Sequence, residues 1–221
     1  MWAAIGHILP IAVGVAVSSV PIMATILILL SPKKGRSSVA FLIGWVLGLA
    51  VMIVAFTLLA YVIPPTPPRK SQVAIATSLV VIGLALIVFA VIVWRRGRGK
   101  PSEGIPSWLS RVGSLGAWSA FGLAFLLNLR PKGILLSAAA GLTLRGDDLT
   151  VGETVVVIVV YVVVSASAVA IPIVASLVAP QTTEKRLVLA RTWIAVNNRT
   201  VSVLILAIIG VVIIGNGLTR L

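Results

Sequence analysis

The pentapeptide Asn128-Leu129-Arg130-Pro131-Lys132 places two cations, an amide and a helix breaker inside the segment Ser114 to Leu144, which is otherwise apolar enough to cross a membrane. At the centre of a bilayer an Arg or Lys costs roughly 2.5 to 3.5 kcal/mol on insertion scales, and a proline removes a backbone hydrogen bond. Something must offset those costs, and the chemistry these residue types offer is anion binding. A half-helix that begins after a proline break presents free N–H groups and a positive dipole end, which attract an anion strongly where the dielectric is low. Ser18, Ser19 and Pro21 form a second break of this kind in the first apolar run, and the hydroxyls and the Asn128 amide add donors and acceptors beside the breaks. All five acidic residues, Glu103, Asp147, Asp148, Glu153 and Glu184, fall in expected loops or at helix ends, so no carboxylate is available at depth to pair with Arg130. A bound anion or a lipid phosphate fits that gap. The candidate substrate-binding set is therefore Ser18, Ser19, Pro21, Asn128, Arg130, Pro131 and Lys132. In the rival reading Arg130 and Lys132 cap freed carbonyls or snorkel along a water-filled crevice.

The elements that must hold these residues are expected to be membrane helices. Of 221 residues, 59% are hydrophobic and 10% charged, and the mean hydropathy is +1.16. Six apolar runs are long enough to span: Trp2 to Leu30, Ser38 to Ile63, Val73 to Trp94, Ser114 to Leu144, Thr154 to Val178, and Thr200 to Leu218. They are continuous and lack the period-two alternation of a membrane barrel, so an all-α integral membrane protein is expected. The first run lacks a basic leader and exceeds a signal-peptide core, which predicts an uncleaved first helix. Pro64-Pro65-Thr66-Pro67-Pro68 reads as a stiff connector, Pro10 and Pro172 as packing kinks, and Lys100 to Val112 as a basic surface loop.

The formal net charge of +13 would point to nucleic acid in a soluble chain, but here the cations sit in short loops between apolar runs. Lys33, Lys34, Arg36, Arg95, Arg96, Arg98, Lys100, Arg111, Lys185, Arg186, Arg191 and Arg199 fall on one side. Only Arg69, Lys70, Arg145 and Arg220 fall on the other. The positive-inside rule then puts the first set in the cytoplasm, both termini outside, and the protein in the inner (plasma) membrane. Trp45, Trp94, Trp108, Trp118 and Trp193 read as interfacial anchors, and His7 as an interfacial residue near a helix start.

The two halves share a pattern. Ser18-Ser19-Val20-Pro21 interrupts helix one and Asn128-Leu129-Arg130-Pro131 interrupts helix four. Each interruption is followed, at nearly the same distance, by a polar break: Ser31-Pro32-Lys33-Lys34-Gly35-Arg36 and Arg145-Gly146-Asp147-Asp148. Three helices per half give the halves opposite orientation. The expected architecture is six transmembrane helices as two inverted three-helix repeats, residues 1–94 and 114–221, joined by a basic cytoplasmic loop, 95–113, with helices one and four broken at proline. Such repeats are a transporter pattern with a midplane site where the breaks meet.

Val17-Ser18-Ser19-Val20-Pro21-Ile22, Leu30-Ser31-Pro32-Lys33 and Ala40-Phe41-Leu42-Ile43-Gly44-Trp45-Val46-Leu47-Gly48 resemble the first half of the actinobacterial Gap family, the glycopeptidolipid- and sulfolipid-addressing proteins. Asn128 to Gly133 resembles that family's second-half Asn-Pro-Lys element, stretched here by Leu129-Arg130, and Gly210 to Gly217 its glycine-containing last helix. Val20 stands where the wider lysine-exporter superfamily has glycine before the first-repeat proline. The resemblance implies a two-repeat carrier fold and a role in moving envelope glycolipids alongside dedicated lipid exporters.

Three functions compete at this stage. The first is a carrier or flippase that exports a cell-envelope glycolipid or another anionic amphiphile. The second is an exporter of a small water-soluble metabolite such as an amino acid. The third is a non-transporting accessory subunit of a larger lipid exporter, docking through the glycine-bearing face of Ile208 to Leu218. An enzyme is not expected, because no span pairs a nucleophile with a base or brings two carboxylates together. No cofactor or metal is expected either: the chain has no cysteine, and no acidic ligand lies at depth. Asp147, Asp148 and Glu153 read as a solvated acidic loop. Six helices make a thin wall around a midplane path, which leaves room for a homodimer.

Overall fold

A computed structural model describes residues 1–32, 34–62, 68–96, 111–147 and 149–219. Among these residues every element of regular structure is helical: α1 Trp2–Ala16, α2 Ser19–Leu29, α3 Lys34–Tyr61, α4 Pro68–Arg96, α5 Ala117–Leu127, α6 Pro131–Gly146, α7 Val151–Val178 and α8 Pro180–Leu218, with a single 3₁₀ turn at Arg111–Ser114. Four of the helices are long and apolar enough to cross a membrane. The count is six if each bent pair, α1 with α2 and α5 with α6, is one span. This arrangement is consistent with a multi-pass membrane protein, because a helix satisfies its own backbone groups where lipid offers no partner.

The two bent pairs turn by 50° and 61°. Their prolines occupy first turns rather than helix interiors. Pro131 is the first residue of α6, and Pro21 the third of α2. A first-turn N–H has no intrahelical acceptor, so a proline there removes nothing. Pro10 and Pro172, in contrast, lie inside α1 and α7, which continue through them.

α3 packs on α5 and α6, α7 packs on α1 and α2, α4 packs on α8, and α3 also meets α7. The most extensive of these is α4 with α8, which run antiparallel. A Cβ on Gly83 would lie 2.7 Å from the carbonyl oxygen of Gly210, and one on Gly210 would lie 2.9 Å from that of Gly83. Bare glycines on both helices let the backbones touch, as in many membrane helix pairs. Gly217 makes the same approach to Ala76. The glycine face of the last helix is thus mostly filled by α4, which corrects its reading as a docking face. Only Gly215 in that stretch meets open space.

Two further expectations change. The basic stretch Lys185 to Arg199 is no loop but the first half of α8, a continuous helix of 39 residues. The acidic residues are not simply solvated: Asp147 lies 3.4 Å from His7 Nδ1, and Glu153 closes a capping box with Thr150 at the start of α7. His7 therefore ties α1 to the end of α6. At the same end of the molecule Arg145 sits 4.8 Å above the Tyr61 ring, joining α6 to α3. The stretch from 63 to 67, expected to be a stiff Pro-rich connector, residues 97 to 110, expected to form most of the basic loop and including Trp108, and Lys33, Asp148, Arg220 and Leu221 lie outside the described residues.

Candidate functional site

The two breaks open onto one cavity of about 310 Å³. Ser18, Ser19 and Val20 line it from the first break, and Asn128, Arg130, Pro131, Lys132 and Gly133 from the second. Six of the seven residues singled out in the sequence thus share a wall. The exception is Pro21, which is buried within α2 one residue beyond that lining.

Each half-helix begins at the cavity. The N-cap of α2 is Ser18 and that of α6 is Arg130; both have extended backbones, and neither side chain hydrogen-bonds the N–H groups of its own helix. Two helix N-termini therefore face the same space with first-turn N–H groups that no N-cap side chain occupies. Lys132 is the second residue of α6 and partly buried. Among the described residues, none gives its ammonium a hydrogen bond or an ion pair. Two dipole ends and two cations make the local field positive.

Asn128 has a different role from Lys132. It is 4% exposed, and its amide nitrogen donates to the carbonyl oxygens of Ala124 at 3.1 Å and Phe125 at 3.5 Å. Those are last-turn carbonyls of α5, that of Phe125 also accepting the Asn128 backbone N–H at 3.2 Å, so the side chain caps its own helix. Two glycines make room for it. A Cβ on Gly48 of α3 would collide with the Asn128 amide, and one on Gly133 would collide with the Asn128 carbonyl. Capping is the rival reading of the sequence for Arg130 and Lys132; in the structure Asn128 does it.

Several lining residues were not singled out from the sequence. Trp45, read there as an interfacial anchor, is 3% exposed on α3 and belongs to the cavity wall, and its buried indole N–H has no hydrogen-bond partner among the described residues. Its apolar neighbourhood hid it: nothing in a run of Ile, Val and Leu tells a buried indole from an anchoring one. Trp94, Trp118 and Trp193 are exposed, in keeping with that anchoring role. Ser202 of α8 lies 3.4 Å from Ser19, hydroxyl to hydroxyl, and Ser137 of α6 lines the wall one turn beyond Gly133. Leu49, Phe89, Val93, Leu136 and Leu206 complete an apolar side.

The site can hold a small anionic group beside its cations while an apolar portion lies along Leu49, Phe89, Val93, Leu136 and Leu206. Among the described residues no group of three or more His, Cys, Asp or Glu comes together.

No curated protein and no solved structure matches the chain. A family model does: the one described as "Sap, sulfolipid-1-addressing protein" matches residues 8–219. That match takes in both breaks, the cavity they share and, among the described helices, all of α2 to α8 and α1 from Ile8 onward, and so the chain belongs to the sulfolipid-1-addressing protein family.

Proposed function

We propose that the protein is a membrane carrier or flippase that moves a cell-envelope glycolipid, or another amphiphile with an anionic head, through the cavity between its two breaks. The observation that carries this reading is the meeting of two half-helix N-termini, neither closed by its N-cap side chain, on one cavity wall with Lys132 in the first turn of α6. A helix N-terminus contributes up to about 2 kcal/mol to a well-placed anion in a partly buried site, and a charge-assisted hydrogen bond about 1.5 to 3 kcal/mol. Burying these positive groups together is costly until an anion arrives, which favours a site made to be occupied. The family description names a sulfolipid, a lipid whose head is anionic, and agrees with that chemistry.

The architecture that suits this role is six spans in two inverted three-helix repeats, with both termini outside the plasma membrane. Exchanging α1 with α5, α2 with α6, α3 with α7 and α4 with α8 turns the main packing pairs into one another: α3–α5 becomes α7–α1, α3–α6 becomes α7–α2, and α4–α8 becomes itself. Repeats related in this way can rock about a fixed midplane site, which is how alternating access works in such folds. Transport rather than catalysis is the proposed activity. The cavity gathers cations, an amide and hydroxyls, but no carboxylate or imidazole among the described residues that could move a proton. A larger lipid exporter, if it is a partner, would have to dock away from the glycines that α4 fills.

The test is lipid analysis of the cell surface against the whole envelope in a strain lacking the protein, complemented by wild type, by Lys132→Gln, or by Arg130→Gln with Lys132→Gln. The expected result is loss of one anionic lipid from the surface with accumulation inside, restored by wild type alone. An unchanged lipid profile would overturn the reading and direct attention to exported small metabolites in the medium.

A further inference from the structure

The cavity does not sit evenly between the two repeats. Gly83 of α4 and Gly210 of α8 approach each other's carbonyl oxygens reciprocally, so they are each other's counterparts and mark the axis of exchange. Along both helices the lining residues fall to one side of them. Phe89 and Val93 come six and ten residues after Gly83, and Leu206 and Ser202 four and eight residues before Gly210. At 1.5 Å per residue that is about 6 to 15 Å from the axis, toward the end where α4 meets Arg95 and Arg96. The counterparts of Ser202, Leu206 and Phe89 on the other side are Ile75, Leu79 and Asn216. None of these three lines the cavity. Ile75 and Leu79 are 3% and 0% exposed, and the Asn216 amide nitrogen lies 3.5 Å from the carbonyl oxygen of His7 on α1.

The leading half-helices account for the difference. α1 packs on α6 and α8 as well as on α7. Its counterpart α5 packs on α3 but, among the described residues, has no comparable packing on α2 or α4. On α1, Ile8, Ile11, Ala12 and Val15 are buried. A Cβ on Gly14 would run into the Ile209 side chain of α8, with Leu136 of α6 3.8 Å away. On α5 the buried residues are Ala120, Ala124 and Leu127, a single row at i, i+4 and i+7, and a Cβ on Gly122 would meet nothing. One half-helix is drawn in at its end of the molecule while the other stands off at the opposite end. In lipid, a half-helix that leaves its neighbours exchanges one apolar contact for another, so both positions are within reach of both.

We infer that α1 and α5 are paired gates, closed and open respectively in this structure, and that the protein has a second state in which they trade places. In that state α5 lies against α2 and α4 and fills the present cavity. α1 withdraws from α6 and α8 and uncovers a counterpart cavity, lined by Ile75, Leu79 and Asn216, at the end where α1 begins and α8 ends. That second cavity is the release path for the anionic amphiphile. The inference rests on the two-repeat carrier reading above.

The chain has no cysteine, so thiols can be introduced singly or in pairs into the full-length protein. Nitroxide pairs at Trp94→Cys with Trp118→Cys, and at Trp2→Cys with Leu218→Cys, all exposed positions, would report the α5 and α1 gates in lipid nanodiscs without cargo. Gly14→Leu wedges α1 away from α8 and α6. Overpacking there should move the balance toward the second state by about 5- to 150-fold. The 2–218 distance should then lengthen while the 94–118 distance shortens. Ile209→Ala, which weakens the same contact from α8 without overpacking, should shift both distances in the same sense. In the Gly14→Leu background, Ile75→Cys and Leu79→Cys should react faster with a charged thiol reagent, and Ser202→Cys more slowly. Lengthening of 2–218 without shortening of 94–118 in both variants would overturn the paired gates, as would faster reaction at all three cysteines. Fixed distances alongside lost lipid delivery in Lys132→Gln would remove the gates and leave the carrier. Opposite changes in the two distances with an unchanged lipid profile would keep the gates and remove the carrier reading.

Discussion

The two breaks occupy matching places in the two halves, yet they are built from different chemistry. The first bends by 50° with hydroxyls and no charge: Val17 ends α1 through an N–H bonded to Val13, and Ser18 starts α2. The second bends by 61° through Asn128, Leu129 and Arg130, carries two cations, and is held by an asparagine cap that fits only because Gly48 and Gly133 stand aside. A helix can be broken cheaply with small polar residues, whereas a break that places Arg and Lys at depth needs close support. The first break supplies a dipole and hydroxyls. The second supplies charge.

That division of labour is open to attack, beginning with charge. Lys132→Gln should lower surface delivery of the cargo by about 10- to 100-fold, the equivalent of one charge-assisted hydrogen bond of about 1.5 to 3 kcal/mol. Lipid analysis at matched protein level reads that change. Gly133→Ala should act on stability instead. The new methyl would meet the Asn128 carbonyl, a backbone atom that cannot swing aside, at a cost of about 1 to 3 kcal/mol, visible as a lower unfolding temperature in detergent. Asn128→Ala should cost about 1 kcal/mol in the same assay through the lost cap. The smallest effect should come from Ser18→Ala with Ser19→Ala, less than about threefold in delivery, because the first-turn N–H groups of α2 remain. If the double serine variant lost as much delivery as Lys132→Gln, the contrast between the breaks would be wrong.

Much of this site was legible in the chain. Ser18, Ser19, Asn128, Arg130, Pro131 and Lys132 stood out because polar and helix-breaking residues are costly in an apolar run, and cost is visible without coordinates. Their convergence on one cavity was an inference from matched spacing. Trp45 and Ser202 were not legible, since their side chains become wall residues only through the packing of α3 and α8 around the breaks. Asn128 shows the limit from the other side. Its type announced a polar role, but whether it caps α5 or meets a cargo depends on where the carbonyls of Ala124 and Phe125 end up. The start of α8 was misread for a related reason. Lys185, Arg186 and Arg191 looked like a loop because charge marks the end of a span, although charge does not end a helix.

The sequence by itself determined the solvent, the helical class and the breaks. Each follows from local composition: long apolar runs must be helical in lipid, and proline with flanking polar residues must interrupt them. Only the tertiary structure decided which faces of those helices meet. The order of residues in α4 and α8 does not say that Gly83 will lie against Gly210, nor that two half-helices will open on the same 310 Å³. In an apolar medium one lipid-facing surface is much like another, so partner choice is left to close packing and to the few polar groups that need each other.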